Sequence, residues 1–367
     1  MSVHALSTHA TYRCRHAGAC CTAGWRIPVD VDKQQWLGVA SLVPDATGAC
    51  RFYDRPSGLC QLQRDHGAAA LPRACDQFPR LSLRDRRGTF VTLSHFCPTA
   101  ARLLVEDTAP LRIVKNPAAF PQDRFYDALD AEQEWPPLLR PSVLCDLDTY
   151  SRWEDFLVGT FADETLSIEA QLNAVAWTAE ALRSWSPSQG DLSDHADDVF
   201  ARARITNRRP DIYHPFTDPA VYATVLGFVR REEAADESNQ TSTDVASHPI
   251  RHWGKYAPAV ARYLAAKAFG SWSAYQGRGV RTLVAELMVA ETIVGIEAAR
   301  RSAPLQDLTS DIMVAALGAA DWLLIHSVDR APFVQWLGRV ETAAGSLTSL
   351  ASSAVITSGP IATPRVR

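Results

Sequence analysis

Beyond residue 149 the chain keeps apolar side chains at helical spacing. Ser151 and Glu154 stand at capping-box spacing, and Phe156, Leu157 and Phe161 follow Trp153 at intervals of 3, 4 and 8, which predicts a helix beginning at Ser151. Ile168, Leu172, Val175 and Leu182 predict a second helix over 167–184. Further helices are expected at about 191–205, 218–231, 256–270, 280–301, 309–327 and 331–345. The stretches 280–299 and 311–326 are apolar on most sides and read as central helices of a bundle. The run 232–248 is polar and reads as a loop, and residues 351–367, rich in Ser, Thr, Gly and Pro, read as a flexible tail.

The first 115 residues read differently. Only short strand-like pieces are visible (Arg26–Val31, Phe90–Leu93), with a short helical piece around Asp32–Val39 and a helix from Pro98 to Val105. Turn residues punctuate the rest. Prolines 117, 121, 136, 137 and 141 then mark residues 116–148 as an extended connector. The expected fold class is mixed: a small irregular cysteine-rich metal-binding domain over 1–115, followed by an all-α helical domain over 149–350.

Composition narrows the function classes. The 367 residues are 47% hydrophobic and 21% charged, which fits a folded globular chain and excludes a disordered or collagen-like one. The net charge of −4 gives no whole-surface argument for nucleic-acid binding, although residues 51–90 carry eight Arg against four Asp. Neither an export signal nor a membrane-length apolar run is visible, so a cytoplasmic protein that does not cross a membrane is expected.

The cysteines carry the chemistry. Seven of eight lie in the first 97 residues: Cys14, Cys20, Cys21, Cys50, Cys60, Cys75 and Cys97. Soft thiolates gathered in one segment of a chain with no export signal point to zinc or an iron–sulfur cluster rather than to a disulfide framework. All seven are therefore candidate metal ligands. Seven exceed the four of one tetrahedral or cubane site, which leaves open spare thiols, two sites or a bridged cluster. His16, His66 and His95 are candidate nitrogen ligands, while Cys145, beyond the connector, reads as an ordinary buried thiol. Asp211, His214 and Asp218 are a weaker pocket candidate. Asp321 and His326 share a helix but, five residues apart, are not expected to face one another.

Four segments hold these cysteines: 12–30 with Cys14 and the Cys20-Cys21 pair before Gly24-Trp25-Arg26-Ile27-Pro28-Val29-Asp30; 50–60 with Cys50 and Cys60; 72–80 with Cys75 ahead of Phe78-Pro79-Arg80; and 94–101 with Cys97-Pro98. In these motifs the chain resembles the YkgJ or CxxCxxCC family of cysteine-cluster proteins, and the flagellin lysine-N-methylase branch related to FliB. It departs from the longest family signature in having five residues and no cysteine between Cys14 and Cys20. The resemblance implies a zinc- or iron-chelating domain and, for the methylase branch, transfer of methyl groups to protein lysines with S-adenosylmethionine as donor. No glycine-rich strand-to-helix turn for such a donor is found, nor a dinucleotide fingerprint, a Walker loop, a radical-type cysteine triplet, a nucleophile elbow or a zincin motif.

Two functions are thus expected. In one the centre supports modification of a protein substrate, with an active site where the cysteine region meets the helices and with Arg73, Arg80, Arg84, Arg86 and Arg87 orienting an acidic partner, opposite Asp211 and His214. In the other a structural metal accompanies a helical partner-binding domain.

Overall fold

A computed structural model describes residues 1–132, 136–206, 219–230, 252–302 and 307–339. The polar run 232–248, Asp211, His214, Asp218 and the tail 351–367 lie outside the described residues. A five-stranded sheet occupies the N-terminal third. Its strands are β1 (Val3–Leu6), β6 (Arg80–Asp85), β7 (Gly88–Leu93), β8 (Ile113–Lys115) and β9 (Leu129–Asp130), in the order β8-β1-β7-β6-β9. β6 and β7 form an antiparallel hairpin in which Arg80 opposes Leu93. β1 lies parallel to β7, with Val3 opposite Thr89, and β8 pairs antiparallel to β1. Gly88 makes the close approach possible: a β-carbon there would come within 2.6 Å of the Ser2 carbonyl oxygen.

Between β1 and β6 the chain makes a layer of short elements. These are β2 (Ile27–Pro28) with β3 (Ser41–Leu42), β4 (Tyr53–Asp54) with β5 (Leu59–Cys60), and helices α1 (Val31–Leu37), α2 (Gln61–His66) and α3 (Arg73–Gln77). After β7, Cys97 caps α4 (Pro98–Glu106), with Pro98 at the first helical position where its missing N–H costs nothing. The proline-rich stretch is not a plain connector. It contributes β9 to the sheet and then a hairpin of β10 (Leu138–Arg140) and β11 (Val143–Leu144).

The helical remainder comprises α5 (Leu147–Ala162), α6 (Ile168–Arg183), α7 (Leu192–Thr206), α8 (Pro219–Leu226), α9 (Ala257–Ala268), α10 (Val280–Arg301), α11 (Ser310–Asp321) and α12 (Arg330–Leu337). α5 starts before Ser151 because Asp146 caps it, accepting the Thr149 N–H at 2.8 Å. Ser151 instead donates to the Leu147 carbonyl. After α11 the chain runs through a π-helical turn, Trp322–Ser327. No described helix is long and apolar enough to cross a membrane.

The expected division into an irregular cysteine-rich domain and an all-α domain does not hold. The fold is mixed α/β, with the sheet built into the helical core. Leu6, Leu83, Phe90, Ala101 and Leu104 belong to the same buried cluster as Trp153, Leu264, Leu287 and Leu317. The opposite face of the sheet covers a smaller core of Val3, Ala5, Tyr12, Val91, Leu93, Cys97, Phe120 and Tyr126. Strands buried on both faces lose the alternation of apolar and polar residues that marks a strand in sequence. In β7 five of six residues are buried, so only its aromatic and β-branched composition spoke for it.

Candidate metal centre

All seven N-terminal cysteines line one cavity of about 230 Å³. Every described residue of its lining lies between positions 12 and 124. Every cysteine of the chain is a free thiol, and Cys145 is set apart, 1% exposed within the helical core.

Backbone turns bring the thiols together. Gly18, in the left-handed region at φ 74°, precedes the tight turn Ala19–Cys21, so that Cys20 and Cys21 follow within one turn. Their sulfurs stand 4.0 Å apart. The Cys50 N–H donates to the Cys21 carbonyl at 2.7 Å, and Cys60 is paired with Tyr53 across the β4–β5 hairpin. Cys75 sits on α3, whose first residue, Arg73, donates its N–H to the Asp30 carboxylate at 2.6 Å. Cys97 arrives from the sheet, at the head of α4.

Proximity divides the protons among these groups. Cys21 hydrogen-bonds to both Cys20 and Cys60 and keeps its proton, its pKa raised by those contacts and by burial. The same contacts lower Cys20, and bring Cys60 to about 6. Burial pushes Cys75 up to about 12, and raises Cys50 and Cys97. The contacts with Cys21 thus move Cys20 and Cys60 toward the thiolate, the form that binds metal.

Tyr12, Arg80 and Arg124 share the lining with these thiols. The Tyr12 hydroxyl lies 3.9 Å from the Cys97 sulfur. Arg124 pairs with Asp76 at 2.7 Å, while Arg80 donates to the Asp76 carbonyl and lies over the Tyr12 and Phe120 rings. Arg80 has no carboxylate within ion-pair distance among the described residues. At the lip, Trp25 stacks on Trp322 at 5.5 Å and lies 4.9 Å from His326, so the helical region backs the cavity wall.

Among the described residues, no three His, Cys, Asp or Glu side chains already stand in a metal-holding arrangement. The donor set itself fits a thiophilic metal, since free soft thiols ring one cavity. Thiol ligands order as metal binds, so a preformed cage is not required of the metal-free chain.

Of the candidate histidines, His16 lines the cavity; His66 is exposed against Trp36; and His95 is sealed inside, 3.1 Å from His9. The arginines do not gather at a cleft between sheet and helices. Arg80 lines the thiol cavity, Arg84 pairs with Asp130, Arg73 lies over Phe125, and Arg86 is exposed. Arg87 fills the junction, bonded to Asp85 and Glu154. Side chains fill the junction around Arg87, and the thiol cavity is lined by the cysteine region itself. Tyr12 and Arg124 escaped sequence reading: Arg124 reaches Asp76 across 48 residues with no local pattern joining them. Asp321 and His326 both reach the loop before Cys97, because the i→i+5 bonding of the π-turn stacks residues five apart.

No family model matches the chain, and no curated protein or solved structure matches it significantly.

Proposed function

We propose that the cavity is a thiolate metal centre, holding an iron–sulfur cluster or zinc. One observation carries this reading: seven free cysteines from four sequence segments line a single cavity, while the eighth lies apart in the core. Cysteines serving only as small apolar core residues have no reason to converge in this way. A bound cluster supplies electron transfer, and bound zinc supplies Lewis acidity. The chain's own residues supply soft sulfur donors around the cavity and positive charge at Arg80 to offset those that ionise.

Cys14 and Cys20 remain exposed, which leaves the centre reachable from solvent. That access is the condition for the enzymatic alternative, with the lysine-methylase-like modification implied by the cysteine motifs as its specific form. The test is anaerobic purification with metal and acid-labile sulfide analysis and an absorption spectrum. Stoichiometric iron and sulfide, or stoichiometric zinc, is the expected result; a chain free of both, with all eight thiols titratable, overturns the reading.

A further inference from the structure

The seven thiols do not form one ring. Four belong to a single backbone unit: the Cys50 N–H is bonded to the Cys21 carbonyl, the Cys21 N–H to the Gly18 carbonyl at 2.9 Å, and Cys60 opposes Tyr53. The Tyr53 ring closes over Gly18, where a β-carbon would lie 3.1 Å from it. Cys75 joins this unit through the bond from Arg73 to Asp30, and its thiol neighbours are Cys20, Cys50 and Cys60. Cys97 belongs to a different body. It is buried in the small core beneath the sheet with Val91, Leu93 and Ala100, and its polar neighbour is the Tyr12 hydroxyl. Cys14 follows Tyr12 by two residues and stands close enough to Tyr12 and Cys97 to raise the pKa of both.

Resting on the metal-centre reading, we infer that Cys20, Cys21, Cys50, Cys60 and Cys75 form the metal site, and that Cys14 and Cys97 stand outside the ligand set. Five thiols satisfy the four positions of one tetrahedral or cubane centre with one to spare. Cys14, Cys97 and Tyr12 then form the facing wall, the surface an incoming ligand meets opposite the metal. The division follows the architecture: the five ligands lie on the loop layer, Tyr12 and Cys97 belong to the small core beneath the sheet, and Cys14 starts the layer two residues after Tyr12.

Cadmium(II), which binds thiolates whatever the native metal, is the probe for the full-length protein. Uptake per chain is measured by elemental analysis and by thiolate-to-metal absorbance. The double variant Cys14→Ser/Cys97→Ser is expected to keep wild-type stoichiometry, and Cys21→Ser/Cys60→Ser to lose uptake. Loss of uptake in Cys14→Ser/Cys97→Ser with native circular dichroism overturns the division, as does unchanged uptake in Cys21→Ser/Cys60→Ser. Because Cys97 is buried, the exposed Cys14→Ser single variant is measured too, and lost uptake there overturns the division without a folding ambiguity. A wild-type chain that takes up no cadmium defeats the metal-centre reading itself, an outcome separate from any ranking of the variants.

Discussion

The carboxylate of Asp321, on the last turn of α11, accepts the backbone N–H of His95, two residues ahead of Cys97. It also accepts the Tyr263 hydroxyl at 2.9 Å and pairs with Lys267, all within the sealed interior. His326 bonds the neighbouring Ser94 at 2.8 Å. The helical region therefore sets the loop that delivers Cys97 to the cavity.

Asp321→Asn leaves Lys267 buried without its counter-charge. Burial opposes the Asp321 carboxylate, but Lys267 and His95 outweigh it and hold its pKa well below the ordinary 3.8. A depressed folded pKa stabilises above the unfolded value, and this contribution fades as pH falls below about 4. Urea unfolding at pH 7 is expected to show a loss of about 3–5 kcal/mol for Asp321→Asn. A Lys267→Met/Asp321→Asn double variant should recover much of it.

Arg87 and Arg84 make a matched pair of tests. Arg87 bridges Asp85, at 2.7 Å, and Glu154 between sheet and helices, and the Tyr275 hydroxyl and Gly270 N–H complete the network. Arg84 pairs with Asp130 at 3.9 Å on a solvated edge. Arg87→Ala strands two buried carboxylates and should cost about 3–5 kcal/mol. Arg84→Ala should cost under about 1 kcal/mol in the same melts.

Glu291 lies on α10 with neither carboxylate oxygen hydrogen-bonded among the described residues. Burial, with a smaller effect of Glu169, raises its pKa from 4.5 to about 8. The sign is opposite to that of Asp321. The unfolded chain ionises first, so stability falls as pH rises from about 4.5 to about 8, by up to about 1.4 kcal/mol per unit, and levels above. Glu291→Gln should flatten that slope. Urea midpoints between pH 5 and 8.5 would show it, and an unchanged slope would assign the pH dependence elsewhere.

Metal removal should act locally. The loop layer over residues 13–77 has little core of its own, whereas β1, β6 and β7 are held by the helices. Chelation is expected to open protease sites within 13–77 and to leave the far-UV dichroism of α9, α10 and α11 intact. Cleavage first within 280–301 would contradict this.

The helices were legible because their apolar faces repeat at helical spacing; α6 and α10 fall almost where Ile168, Leu172, Val175 and the run 280–299 place them. The cysteine cavity was legible in its residues but not its walls, since Tyr12 and Arg124 enter by tertiary contact alone. The sheet was the main loss. β6 reads as a charged run, yet Leu83 and Asp85 are buried, the latter between Arg87, two residues on, and Tyr275, 190 residues on. No local pattern announces the Tyr275 contact.

The parallel pairing of β1 with β7 also orders events during synthesis. Val3 leaves the ribosome 86 positions before its partner Thr89. Six of the seven cavity cysteines, from Cys14 to Cys75, are made in that interval, inside a loop whose ends have not yet met. When β7 emerges, the sheet draws the loop shut, and Cys97 follows four residues behind Leu93. The nascent chain thus completes all but one of its cavity thiols before the strands that frame the loop can pair.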